Sequence, residues 1–217
     1  MPGYDTHTRT LRFGEQDLRV RSLVDVQQYA DPDGHAERAG ISSAQWSLFG
    51  HVWPAGQLLA QAMAIEQVAG KRILELGCGL GLASLVLRQR GADITASDHH
   101  PLAEVFLAYN AALNDLQSVP FRTLQWDTPN PTLGDFDLII GSDILYERDH
   151  ARQVADLLTR HARASSQVLI ADPGRGNSAG FTRALKAQGF ASSETRDRLD
   201  PDDIPPFRGR LLRYRRD

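Results

Sequence analysis

The chain holds one cysteine, Cys78, in 217 residues. That excludes an internal disulfide framework and suits a reducing compartment, so a cytoplasmic setting is expected. No apolar run approaches the roughly 20 residues that span a bilayer. The opening stretch, MPGYDTHTRT, also lacks the charged-then-apolar layout of a secretory signal, and no membrane partner is expected. A charge excess is missing too. The net charge of −3 and a pI near 6.2 argue against general nucleic-acid binding, which usually goes with a basic domain. Nor are there internal repeats or low-complexity segments. What is present is 41% apolar and 24% charged residues, the balance of an ordinary globule, in a length that suits one α/β domain with a short extension.

The most informative stretch is 71–100, KRILELGCGLGLASLVLRQRGADITASDHH. Ile73-Leu74-Glu75-Leu76 is a short apolar strand that breaks into Gly77-Cys78-Gly79-Leu80-Gly81. Helical spacing follows over 83–90, with Gly91 as a stop, since glycine takes a left-handed position cheaply. A second strand over 93–97 ends at Asp98, and two parallel strands joined by a helix make a βαβ unit. Glycines let a ligand reach main-chain N–H groups with no Cβ in the way. Asp98 lies 21 residues after Gly77, where a nucleoside-binding unit puts the carboxylate that takes ribose hydroxyls. A dinucleotide fingerprint would want glycine at Leu82; here the pattern is G-x-G-x-G.

The rest of the chain organises around this unit. Residues 1–8 read as a loose tail, 10–13 and 18–26 as a hairpin around Gly14-Glu15-Gln16, and the polar stretch 30–40 as a loop. An aromatic run from Trp46 to Trp53 leads to Pro54, which suits the first turn of a helix continuing to Gly70. A helix over 101–114 is expected to turn Leu102, Val105, Phe106 and Tyr109 inward. Strands are expected at 121–126, 136–141 and 167–172, helices at 151–162 and 179–188, and one or two final strands in the tail. The apolar run Phe136-Asp137-Leu138-Ile139-Ile140-Gly141 reads as a buried parallel strand. The alternation predicts a doubly wound, mostly parallel sheet, with residues 1–45 as an N-terminal extension and 46–217 as the main domain. Ligands of such sheets sit at the carboxyl ends of the strands, here Gly77, Asp98, Trp126, Asp143 and Asp172.

Glu75 with the glycine loop (ELGCGLG), and a strand closing in Asp98, resemble the first motifs of class I S-adenosylmethionine-dependent methyltransferases. Trp53-Pro54, LQWD and FDLIIGSDILY narrow the resemblance, over roughly 45–190, to the seven-stranded methyltransferases of family 16, which include many protein lysine methyltransferases. The resemblance implies a Rossmann-like seven-stranded fold, S-adenosyl-L-methionine as cofactor, and cofactor contacts from Trp53, Gly77, Cys78, Gly79, Asp98, Trp126 and Ser142. Glu75 would anchor the amino group of the cofactor or the loop itself. Trp53 and Trp126 offer large rigid faces to the adenine or the mouth. Asp143 and Tyr146 of Asp143-Ile144-Leu145-Tyr146 form the expected catalytic pair, orienting a neutral amine for in-line transfer. The implied acceptor is a lysine of a protein substrate; a small amine or other metabolite, nicotinamide-like, is the alternative. A monomer is favoured.

Other features carry less. His99-His100 lacks ligands at metal spacing, so no metal is expected. Asp172-Pro173-Gly174-Arg175 and Trp53-Pro54-Ala55-Gly56-Gln57 resemble the matching stretches of methyltransferases that modify the electron-transfer flavoprotein β subunit. For the first, a turn stabilised by Pro and Gly accounts for the residues equally well. No Asn-Pro-Pro-Tyr-type motif of nucleic-acid amino-methyltransferases follows the fourth strand. The basic stripe FRGRLLRYRR at 207–216 is expected to be an edge strand guarded by charge.

Overall fold

The structure, a computed structural model, describes residues 4–25, 34–41, 46, 48–199 and 207–217. Two strands, β1 (Thr6–Phe13) and β2 (Gln16–Leu23), form an antiparallel hairpin of their own. After the single-turn α1 (His35–Arg38) comes α2 (Pro54–Ile65), then the alternating body. This body runs β3 (Arg72–Leu76), α3 (Leu82–Gln89), β4 (Asp93–Asp98), α4 (Ala103–Leu113), β5 (Phe121–Thr123) and β6 (Phe136–Ser142). It continues with α5 (His150–His161), β7 (Ala162–Asp172), α6 (Ser178–Ala187), β8 (Ala191–Leu199) and β9 (Phe207–Arg216). The main sheet has seven strands in the order β5-β4-β3-β6-β7-β9-β8. All pairs are parallel except the two made by β9.

Period-two alternation along buried strands builds a core on each face of this sheet. Ile73, Ile94, Leu138, Ile140, Leu169 and Leu211 face one core with α2, α3, α4 and the hairpin. Leu74, Leu76, Ile139, Val168, Ile170 and Leu212 face the other with α5 and α6. Each fully buried Leu, Ile or Phe contributes about 1.5–3 kcal/mol from leaving water. The hairpin is stitched to α4 by two asparagines. Asn110 accepts the Arg21 N–H at 2.8 Å and donates to the carbonyls of Arg21 and Leu80, while Asn114 accepts the Arg19 N–H at 2.7 Å. Strand order reverses between β3 and β6, so β4 lies on one side of β3 and β6 on the other, leaving a crevice at their carboxyl ends.

Several expectations change. β1 begins at Thr6, within the stretch read as a tail, because its partner Leu23 gives Thr6 a ladder position. Residues 35–38 of the expected loop form one helical turn. The strand from Phe121 stops at Thr123; Gln125 and Trp126 lie in a turn closed by the Thr128 N–H on the Gln125 carbonyl. On α4, Phe106 is buried but Val105 and Tyr109 are 50% and 40% exposed, and the Arg21 guanidinium covers the Tyr109 ring. β9 is no edge: it pairs with β7 on one side and β8 on the other. Three of its arginines are spent internally, Arg210 on Asp172 and Ser178, Arg213 on Glu66, Arg216 on carbonyls of Ala162, Arg163 and Ala164. The expected division after residue 45 falls on 42–45, outside the described residues.

Candidate active site

The crevice at the reversal point opens as a cleft of about 210 Å³. Its floor is the loop between β3 and α3. Gly77, Gly79 and Gly81 have φ of +60°, +54° and +80°, a region side chains rarely enter. Space demands glycine as well at two of them. A Cβ on Gly77 would sit 3.1 Å from the Ile144 side chain, and one on Gly81 would collide with Leu107. The loop therefore folds tightly enough to aim the start of α3 at the cleft.

Two carboxylates brace it. Glu75, buried on β3, accepts the Ser84 N–H at 2.9 Å and the Ser84 hydroxyl. Burial lifts its carboxyl to about 7, with the Ser84 bonds pulling it down and the charge of Asp98 adding to the rise. Asp98, at the end of β4, accepts the Gly79 N–H at 2.8 Å and the His100 N–H at 2.9 Å. Cys78 packs between them, its thiol pushed well up by burial.

Aromatic side chains line the sides. Trp53, at the start of α2, donates its indole N–H to the Leu48 carbonyl at 2.9 Å and stays 38% exposed. Phe49 lies flat on His100, centroids 4.1 Å apart and 4° between planes. Trp126 meets the His150 ring edge-on at 5.0 Å, and Tyr146 meets the same ring edge-on at 4.4 Å. Burial, with the charges of Glu147, Asp98 and Asp143, pushes the Tyr146 phenol to about 12, so it is an O–H group at any physiological pH.

Asp143 follows β6 directly, at φ +51°, its N–H bonded to the Ala171 carbonyl at 2.8 Å. Asp is among the few side chains that tolerate this left-handed region. Its carboxylate is gripped by a fork: Arg175 donates Nε to Oδ1 and Nη2 to Oδ2, both at 2.7 Å. The loop carrying Arg175 is pinned in turn by Asn177, which donates to the Leu145 carbonyl at 2.8 Å.

Trp53, Glu75, Gly77, Cys78, Gly79, Asp98, Trp126, Ser142, Asp143 and Tyr146 all line this one cleft. Asp172 does not join them: it is buried and held by Arg210. Among the described residues no group of three or more His, Cys, Asp or Glu could hold a metal; His99 lies 3.7 Å from Asp98, and His100 is committed to its stack. Sequence reasoning missed Arg175 as the partner of Asp143, Phe49 and His100 as wall, and His150 as the ring behind Trp126 and Tyr146. The signal for Arg175 was its place just beyond the carboxyl end of a parallel strand, where the other cleft residues also lie.

A doubly wound sheet with a glycine loop and a strand-end acid in its crevice defines a nucleoside-cleft protein of the methyltransferase type. A solved structure of magnesium protoporphyrin IX methyltransferase from Synechocystis PCC 6803, with bound SAM, shares the fold at a TM-score of 0.59 and 17% identity, over 87% of this chain and 92% of that one. Residues 41–187 match the lysine methyltransferase family, and the chain belongs to it. It is 35% identical over 146 residues to the electron transfer flavoprotein beta subunit lysine methyltransferase of Rattus norvegicus, covering 64% of this chain and 55% of that protein. It is 31% identical over 140 residues to the calmodulin-lysine N-methyltransferase of Arabidopsis thaliana, covering 58% and 45%. The chain thus spans about half the length of the curated relatives it matches.

Proposed function

We propose that this protein is an S-adenosyl-L-methionine-dependent N-methyltransferase that modifies lysine side chains of a protein substrate. The observation that carries the reading is the convergence of the glycine loop, Asp98 and the Asp143–Tyr146 pair in one cleft, in a chain of the lysine methyltransferase family.

The lining suits the cofactor. A Cβ placed on Gly79 meets nothing within 4 Å, so the loop leaves open room beside its backbone. The Asp98 carboxylate favours a ligand bearing positive charge, and the cleft's aromatic walls favour a flat base. Asp98 keeps lone pairs for ribose hydroxyls beyond the two it gives to Gly79 and His100. Gly77 to Gly79 with Glu75 would hold the methionine end, Trp53 and Trp126 the base or the mouth, and Ser142 leaves room as a small residue. When bound, S-adenosylmethionine supplies a methyl already activated on a sulfonium.

What the protein must add is orientation. Asp143 accepts an N–H of the neutral amine, and the Tyr146 hydroxyl, which stays protonated, offers a second polar contact at the same place. The aromatic face of Tyr146 tolerates the cation that forms on nitrogen. The single buried thiol supports a cytoplasmic setting, and among the described residues no helix is long and apolar enough to cross a membrane.

Incubation with methyl-labelled cofactor and a proteome extract, followed by mapping of the labelled residue, tests the reading. Label on a protein lysine supports it, with the electron transfer flavoprotein β subunit as the first substrate to try. Label confined to the small-molecule fraction would turn the reading to a small amine. A thermal shift with S-adenosylhomocysteine and none with NAD supports the cofactor, since a ligand of the folded state raises apparent stability by mass action.

A further inference from the structure

The cleft holds three carboxylates, yet among its described lining residues Arg175 is the only lysine or arginine. Its fork takes one hydrogen-bond position on each Asp143 oxygen, at 2.7 Å, and leaves the second lone pair of each for another donor. A bidentate pair of this kind fixes the plane of the carboxylate as well as its charge environment. Tyr146, Asp98, His99 and His51 line the same cleft as the pair, Glu147 and His150 act on Tyr146 from beyond β6 and from α5, and the charge of Asp172 at the end of β7 reaches Arg175. Asp172 is neutralised by Arg210, and His51 and His150 are both pushed toward the neutral form by burial. Arg175 cancels the charge of Asp143 alone; without it the Asp143 charge would add to those of Asp98 and Glu147 around Tyr146. Such a cluster holds a lysine as its ammonium, which has no lone pair with which to attack.

We propose that Arg175 is a positioning residue that makes the acceptor amine bind neutral, by fixing the Asp143 carboxylate in one plane and cancelling its pull on an ammonium. The inference rests on the N-methyltransferase reading and adds to it a reason why the amine enters uncharged without a general base: its proton stays in bulk water, because the paired Asp143 carboxylate no longer stabilises an ammonium at that point. Arg175 is 48% exposed on its loop, so its replacement leaves the core untouched.

The test uses n-butylamine, a probe with the carbon length of a lysine side chain, titrated by NMR into the S-adenosylhomocysteine-loaded protein. Wild-type affinity should rise roughly tenfold per pH unit between pH 7.5 and 9.5, following the neutral fraction of an alkylamine. Arg175→Gln should bind about tenfold more tightly than wild type at pH 7.5 and show little pH dependence, because the bare carboxylate now holds the ammonium. Arg175→Lys, which keeps the cation, should restore the slope. Adding Asp143→Asn to Arg175→Gln should abolish the gain. An Arg175→Gln protein with the wild-type slope, or with no gain at pH 7.5, overturns the proposal; Arg175→Ala gives the same reading should the glutamine variant not fold. Failure of wild type to bind S-adenosylhomocysteine would instead count against the methyltransferase reading, and the same comparison of variants is then made on the unliganded protein.

Discussion

On the β4 side of the cleft, Asp98 and Glu75 are held mainly by main-chain N–H groups lying 19 and 9 residues along the chain from them. On the β6 side, Asp143 is held by the side chain of Arg175, 32 residues away and half exposed. Backbone donors set into a tight glycine loop have almost no freedom to repack, so the β4 side, which we propose holds the cofactor, is preorganised by the fold itself. A solvent-facing ion pair is different: such pairs are worth about 0–1 kcal/mol on average, a little more when the fork is bidentate. The β6 side, proposed above to receive the acceptor, can therefore be retuned at small cost to stability. Relatives acting on different proteins would be expected to differ there.

The sharpest way to break the comparison is to remove one carboxylate from each side. Asp143→Ala should lower turnover by about a thousandfold, within the range set by a group acting at the reacting centre, while S-adenosylhomocysteine affinity stays near wild type. Asp98→Ala should weaken S-adenosylhomocysteine binding by at least about tenfold, the effect of losing a charged hydrogen-bond acceptor. Titration calorimetry and single-turnover kinetics separate the two. Equal losses of affinity would show that the halves are one unit.

A second test concerns pH. The carboxyl of Glu75 is raised from 4.5 to about 7 in the folded protein, chiefly by burial. A raised acid holds its proton in the fold while the unfolded chain releases it. Its contribution to stability is therefore fully present below about pH 4.5 and is lost as pH rises through 7. The expected loss across that window is on the order of 3 kcal/mol for the unliganded protein. Glu75→Gln, which cannot ionise, should lose this pH dependence in denaturant melts; an unchanged slope would mean the carboxyl is already charged at pH 5.

Tyr146→Phe keeps the ring against His150 and loses only the hydroxyl. Turnover should fall about tenfold, the weight of one neutral hydrogen bond in a cleft. Because the phenol sits near 12, no limb of the wild-type pH–rate profile below pH 10 should belong to it, and the variant should keep the same profile. A basic limb that disappears with the hydroxyl would assign Tyr146 a proton-transfer role.

The two sides also differed in how plainly the chain announced them. Glu75, the three glycines and Asp98 lie within 24 residues and obey strong local rules, a strand, a turn that only glycine makes, and a strand end. Alternating apolar strands likewise implied the parallel sheet. What escaped was set by non-local pairing. The basic stripe 207–216 looked like an edge because charge usually marks one, but here β8 folds back over it and Glu66, Asp172 and Glu194 absorb its arginines. Val105 and Tyr109 have core chemistry, yet the helix turns Phe106 inward instead, and Arg21 from the hairpin covers the tyrosine. The Asp143–Arg175 fork depends on how two loops from neighbouring strands meet, which no spacing along the chain encodes.

The smallest effect tests how far the stiffness of the cofactor side depends on the hairpin. Asn110 is fully buried, and its amide bridges the Arg21 carbonyl and the Leu80 carbonyl, the latter inside the glycine loop. Asn110→Ala would strip acceptor and donor from groups that water cannot easily reach, a loss of about 1–2 kcal/mol in global stability. If the loop is stiff by virtue of its own glycines and Asp98, S-adenosylhomocysteine affinity should change by no more than a few-fold, because the Gly79 N–H to Asp98 bond does not involve Asn110. A much larger loss of affinity, with Asp143-dependent turnover at saturating cofactor unaffected, would show that the hairpin and the glycine loop are mechanically one piece. The contrast between the two sides would then be one between a braced half and an unbraced one.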